Sequence, residues 1–282
     1  MRKVSFVALV LLGAAALGGC KDKNKESAQK AQDNVTALVA LAQKDVEEVE
    51  RGLPEGAKRM AALVEKREPL EPPAVRQRLQ KTRREVPDLN IAKSTFFALA
   101  DEKGVAVRND LEVDTMAGQN LVQIFPDLGK ALAGTYVETT GAFPGAAGPA
   151  GPDRDWIAAS PIARPDGTIG GILLTGWTYR KFAYHLQEQL KHDMGEALLK
   201  AKDTGKLPVL YVALFDKAGV YAASQTPQVN EKALEGEKLF DKTAAGTIQA
   251  VISITEREFG YAAARAPKLG DGVGIVVLRS EI

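Results

Sequence analysis

From Ala28 onward, apolar residues recur every three or four positions: Ala28, Ala31, Val35, Leu38, Ala42, Val46 and Val49. That spacing lays one apolar stripe along a helix. Gly52-Leu53-Pro54 is expected to end or bend it, because proline cannot continue the hydrogen-bond ladder. Two more helical stretches follow, over 57–66 and 74–86, separated by Pro69-Leu70-Glu71-Pro72-Pro73. The basic run Arg76, Arg78, Lys81, Arg83 and Arg84 reads as the solvated face of the second. Further on, Phe182, Leu186, Leu190, Met194, Ala197 and Ala201 repeat at helical spacing, which predicts a connecting helix over 179–202.

Between and after these helices the chain repeats itself. Phe97-Ala98-Leu99-Ala100-Asp101-Glu102-Lys103-Gly104-Val105 lies over Val212-Ala213-Leu214-Phe215-Asp216-Lys217-Ala218-Gly219-Val220, a shift of 115. Each reads as strand, Asp-x-x-Gly turn, strand, since Asp accepts local backbone hydrogen bonds and Gly tolerates positive φ. Ala133-Gly134-Thr135 then matches Ala245-Gly246-Thr247 at a shift of 112, and Gly171 matches Gly274 at 103. The Gly/Ala/Pro-rich 141–152 reads as an extra surface loop of the first copy. Each copy is thus a hairpin, a helical middle and three strands, those of the first copy near 135–141, 156–163 and 168–177. The fold class expected is α+β, two five-stranded antiparallel sheets with helices.

Composition narrows the rest. The 282 residues carry 37 basic and 36 acidic side chains. Near-neutral charge argues against nucleic acid as a partner. The single cysteine, Cys20, allows no disulfide within the chain. It closes a run with Arg2 and Lys3, then apolar residues 4–17, then Gly18-Gly19. Leu17-Gly18-Gly19-Cys20 resembles a lipobox, where the thiol is acylated and the leader cut before it. The resemblance implies a lipoprotein signal peptide over 1–19 and a membrane anchor at Cys20. Residues 20–30, with Lys21, Lys23, Lys25 and Lys30, are expected to form a flexible tether. Lys21, where some envelopes read Asp as an inner-membrane retention signal, favours the outer membrane facing the periplasm. No later apolar run approaches the ~20 residues needed to span a bilayer.

The order of elements from Ala28 to Ile282 is similar to that of double Cache, PAS-like extracytoplasmic sensors. Val86-Pro87-Asp88-Leu89, Leu99 to Gly104, and Ser160-Pro161-Ile162 followed by Gly167 to Leu174 carry the likeness. It implies a helical segment over 31–87, a first module over 88–178, a connecting helix within 179–205 and a smaller second module over 206–282. It also implies a small molecule held between the first sheet and its helical segment. One subset of that family binds amino acids through Arg-x-Trp-Tyr. Here Arg154-Asp155-Trp156-Ile157 keeps Arg and Trp, with Ile in place of Tyr, and Pro149 stands where an upstream Tyr is expected.

Arg154 and Trp156 are therefore candidates to clamp a carboxylate and cover it, with Tyr136 and Thr139 as wall residues. The same residues also suit a strand start with Trp156 in the core and Arg154 at the surface. His185 and His192, about two turns apart on one helix, cannot share a metal without other ligands. Gly270 to Gly274 precedes a strand rather than opening a helix, so it reads as a hairpin and not a phosphate loop. Without an acid–base constellation or cofactor motif the expectation is a non-catalytic, cofactor-free sensory module. The chain stops beyond its last strand with no output domain, so any signal is expected to pass through an envelope receptor or another protein partner. The alternative is a ligand-free structural or interaction module.

Overall fold

The computed structural model describes residues 18–66, 68–143, 153–202 and 205–281, with side chains from residue 23. Residues 1–17 of the leader expected over 1–19 and most of the 141–152 loop lie outside the described residues, as does the Cys20 side chain.

Helix α1 runs unbroken over Gly18–Val64. Its stripe is the expected one, extended by Leu53, Ala57, Met60 and Val64, all at most 3% exposed. Each fully buried Val or Leu contributes about 1.5–3 kcal/mol. Two expectations give way here. The tether predicted over 20–30 is helical, and Ser27 and Ala28 are already buried. The reason is Gly260, whose lack of a side chain lets the second sheet lie against the backbone of Ser27 and Ala28. The second concerns Gly52-Leu53-Pro54, which does not end the helix. A Cβ at Gly52 would meet Leu89 at 2.9 Å and one at Gly56 would meet it at 2.8 Å. Those glycines form a notch for a neighbouring helix, and the packing gained there holds Pro54 within α1.

That neighbour is α3 (Pro87–Ile91), which follows α2 (Pro72–Glu85). The first module then contributes β1 (Phe96–Asp101), β2 (Ala106–Asn109), α4 (Leu121–Ile124), α5 (Leu128–Leu132), β3 (Val137–Gly141), β4 (Asp155–Ala163) and β5 (Ile169–Thr178). The connecting helix α6 spans Tyr179–Lys200, its first turn capped by Thr178, whose hydroxyl accepts from the Lys181 amide at 3.3 Å. The second module holds β6 (Val209–Asp216), β7 (Gly219–Ala222), α7 (Gln228–Gly236), α8 (Leu239–Lys242), β8 (Ile248–Ile254), β9 (Arg257–Arg265) and β10 (Gly274–Ser280).

Both sheets are antiparallel, ordered β2-β1-β5-β4-β3 and β7-β6-β10-β9-β8. Period-2 alternation splits each strand between two cores. Phe97, Leu99, Trp156, Leu173, Val212, Leu214, Ile275 and Val277 join the α1 stripe in one core common to both modules. The opposite faces pack separately, the first sheet against α4 and α5, the second against α7 and α8.

The repeat is real in topology but one residue out in its last segment. Ala100 pairs with Ile172, whereas its equivalent Phe215 pairs with Gly274. Gly274 therefore matches Ile172, and the shift is 102. The faces agree, since Leu173 and Ile275 both point to the shared core. Gly171 sits beside a register irregularity at Ile162/Ala163 with φ +156°, so matching glycine to glycine slipped the strand. A one-residue slip reverses every side chain. The hairpin turns also differ in length. Asp101 and Asp216 each hold two downstream amides, but Gly104 has φ +78° in a longer turn, while Gly219 pairs directly with Asp216.

Candidate functional site

The space where the family resemblance puts a ligand, between the first sheet and α4–α5, is packed with side chains. Phe96, Ala98, Leu121, Phe125, Leu128, Ile157 and Leu174 fill it as one buried cluster. The open space involving the expected residues lies elsewhere, in a cleft of about 490 Å³ between the two modules.

Three elements build that cleft. Strand β3 is an edge strand, so alternate side chains face the cleft and the opposite core. Glu138 pairs with Ala158 and Thr140 with Trp156, on the face shared with α1. Helix α1 supplies Glu50. The turn before β10, a single 3-10 turn over Pro267–Leu269, supplies Lys268 and Leu269, with Gly270 and Asp271 behind it. Trp156 lies at the floor, stacked on Trp177 at 4.2 Å, which stacks on Phe182 at 4.4 Å.

The polar groups form a short chain across the module boundary. Lys268 Nζ lies 2.7 Å from Glu50 Oε1, and Tyr136 Oη donates to Glu138 Oε1 at 2.8 Å. Burial pushes the Glu138 carboxyl up to about 7, with the charge of Glu50 adding to it and the Tyr136 hydroxyl and Lys268 opposing. Burial also pushes the Tyr136 phenol up, and the negative Glu138 beside it does the same. At the outer wall Asp127 accepts from Thr139 Oγ1 at 3.1 Å and pairs with Lys130 at 2.6 Å, which holds its carboxyl below the usual range.

Of the expected site residues, Trp156 and Thr139 line the cleft, and Tyr136 is bonded to its wall. Arg154 stands apart. Its Nε lies 2.6 Å from Asp216 Oδ2, the carboxylate that also holds the β6–β7 turn, so its charge is committed to joining the modules. Glu50, Glu138, Lys268 and Asp271 escaped the sequence reading. They lie far apart along the chain and share no motif, and only the alternation of β3 marked Glu138 as facing inward with Tyr136 and Thr140.

Elsewhere, His185 Nε2 lies 2.9 Å from Asp45 Oδ2, tying α6 to α1, and His192 is exposed. Among the described residues no group of three His, Cys, Asp or Glu side chains is arranged to hold a metal ion. Among them, too, no helix is long and apolar enough to cross a membrane.

No family model matches the chain, and no curated protein matches it in sequence. Solved structures do match in shape. The extracellular domain of vpHK1S-Z8, named as a histidine kinase, superposes with a TM-score of 0.58 at 9% identity, covering 93% of each chain. A domain from Vibrio parahaemolyticus, named as a sensory box/GGDEF family protein, gives 0.55 at 8% identity over 92% of this chain and 97% of that one. An extracellular ligand binding receptor from Desulfohalobium retbaense gives 0.50 at 10% identity over 88% of this chain, which spans 39% of that receptor's chain. At such identities a likeness shows architecture alone: this chain has the double Cache, PAS-like fold.

Proposed function

We propose that the protein is a non-catalytic, small-molecule-binding sensory module of the cell envelope, anchored by an acylated Cys20 and acting through a protein partner. The observation that carries it is the intermodule cleft. At about 490 Å³ it falls within the roughly 300–1,000 Å³ usual for small-molecule sites. It joins an aromatic floor to a few polar groups drawn from both modules. The similar structures support the reading, since their names describe extracellular, sensory and ligand-binding proteins. The anchor rests on Leu17-Gly18-Gly19-Cys20 after an apolar leader. With Cys20 acylated, α1 would carry Glu50 and the cleft about 45 Å along its axis from the anchor. The outer membrane, facing the periplasm, is the proposed location.

A thermal-shift screen with small carboxylates, amino acids and amines tests the binding, because a ligand specific for the folded state raises the melting temperature. The packed faces of both modules favour a second reading, a ligand-free interaction module; under it no compound in the screen shifts melting. The anchor is tested separately. Mass spectrometry of the native protein should show a chain beginning at an acylated Cys20, and Cys20→Ala should leave it uncut and unacylated. An unacylated Cys20 in the wild-type protein would remove the anchor from the proposal.

A further inference from the structure

We infer that the intermodule cleft selects a small organic cation, an amine whose ammonium group sits between Glu138 and Asp271 with its apolar part against Pro267 and Trp156. The inference rests on the ligand-binding reading above and names the class of ligand that reading leaves open.

Charge accounting within the cleft leads there. Four carboxyl groups line it, those of Glu50, Asp127, Glu138 and Asp271, against one cation, Lys268. Lys268 is taken by Glu50 at 2.7 Å, and Asp127 has Lys130 at 2.6 Å. Among the described residues Glu138 and Asp271 then have no cationic partner within ion-pair distance. An anion entering here would have to displace Glu50 from Lys268 and sit among three further carboxyls. A cation meets two carboxyl groups outside any ion pair, although the charge of Lys268 also reaches Glu138.

A metal ion is the poorer occupant. The lining carboxylates are not grouped to ligate one, whereas a hard divalent ion wants six or more oxygens converging on a point. The cleft also offers apolar surface, with Pro267 exposed at its rim and Trp156 at its floor, which suits an organic cation with a hydrocarbon or aromatic portion.

The arrangement also makes binding depend on pH. The ionisable groups facing Glu138 are Tyr136 from the segment just before its strand, Glu50 from α1 and Lys268 from the second module. Glu138 must be ionised to attract the ammonium, and it gains its proton as the pH falls through about 7. Amine affinity should therefore fall from pH 8 to pH 5.5.

The test is calorimetric titration of the purified protein at pH 8 with 2-phenylethylamine and 1,4-diaminobutane. Uncharged 2-phenylethanol and the acids 3-phenylpropanoate and succinate serve as matched probes. At least one amine should bind, about tenfold or more tighter than 2-phenylethanol. Neither acid should bind measurably. Glu138→Gln should weaken the amine about 30-fold or more and flatten its pH dependence between 5.5 and 8, with Asp271→Asn weakening it less. Glu196→Gln, exposed on α6, should leave the affinity unchanged. Acids preferred over amines, or an amine indifferent to both cleft substitutions, would overturn the inference while leaving a ligand-binding protein. If no probe in the panel binds, the inference falls, and the ligand-binding reading is decided by the wider thermal-shift screen.

Discussion

Asp155 opens β4 with its side chain turned away from the shared core and 1% exposed, the Phe143 amide lying beside its carboxyl. Burial pushes it up to about 8, the neighbouring Asp153 adds to this, and the Phe143 amide, Lys181 and Arg154 pull the other way. The sign of its linkage follows. Between about 4 and 8 the folded state holds a proton that the unfolded chain has released, so stability falls as pH rises through that window. Asp155→Asn should raise the melting temperature at pH 9 by a few degrees, the gain vanishing towards pH 4. Differential scanning fluorimetry across that range decides it, and a gain independent of pH would mean that the carboxyl ionises without cost. Some residues of this kind were legible beforehand and some were not. Trp156 was recognisable as a buried aromatic at a strand start, in the core and at the cleft floor at once. The role of Arg154 was hidden, because its partner Asp216 had already been assigned a complete local role in holding a turn.

At the scale of elements the helical stripe and the strand order could be read directly, since burial imposes periods of 3.6 and 2 on the chain. What failed were judgements that depended on the partner surface. Residues 20–30 carry little to bury, yet they are helical because Gly260 on β9 offers a surface without a side chain. A Cβ at Gly260 would run into the helix backbone, which cannot rotate aside as a side chain can. Gly260→Ala should therefore cost about 1–3 kcal/mol, in the usual range for overpacking. Hydrogen exchange should then rise over 23–35 while α6 keeps its protection. Uniform protection in both regions would show that the helix end does not depend on this contact. The slipped match of Gly171 to Gly274 has the same origin, since identity of residue type carries no information about which face a strand presents.

In the whole molecule, one ion pair near the cleft joins the two modules and another joins the second module to α1. Arg154–Asp216 is sheltered, its side chains 24% and 9% exposed, whereas Lys268–Glu50 is more open at 43% and 32%. Sheltered pairs lose more when one partner is removed. Arg154→Ala should destabilise by about 3–5 kcal/mol, and Lys268→Ala by clearly less. Urea denaturation measures both, and equal costs would refute the ranking.

The core that α1 shares with both sheets reaches further. Its N-terminal half lies on the second sheet, where Asn34 accepts from Arg279 at 2.9 Å, and its C-terminal half lies on the first, where Gly56 meets Leu173. Heredity, in such a chain, cannot shuffle the copies one at a time. A gene fragment beginning at codon 206 would encode a sheet with one apolar face bare. Its product should bind a hydrophobic dye and aggregate, whereas the intact chain should unfold in a single transition. Any ancestral duplication that made the repeat had to bring one long helix into register with both products, and exchange between relatives should since then have respected the whole chain as its unit.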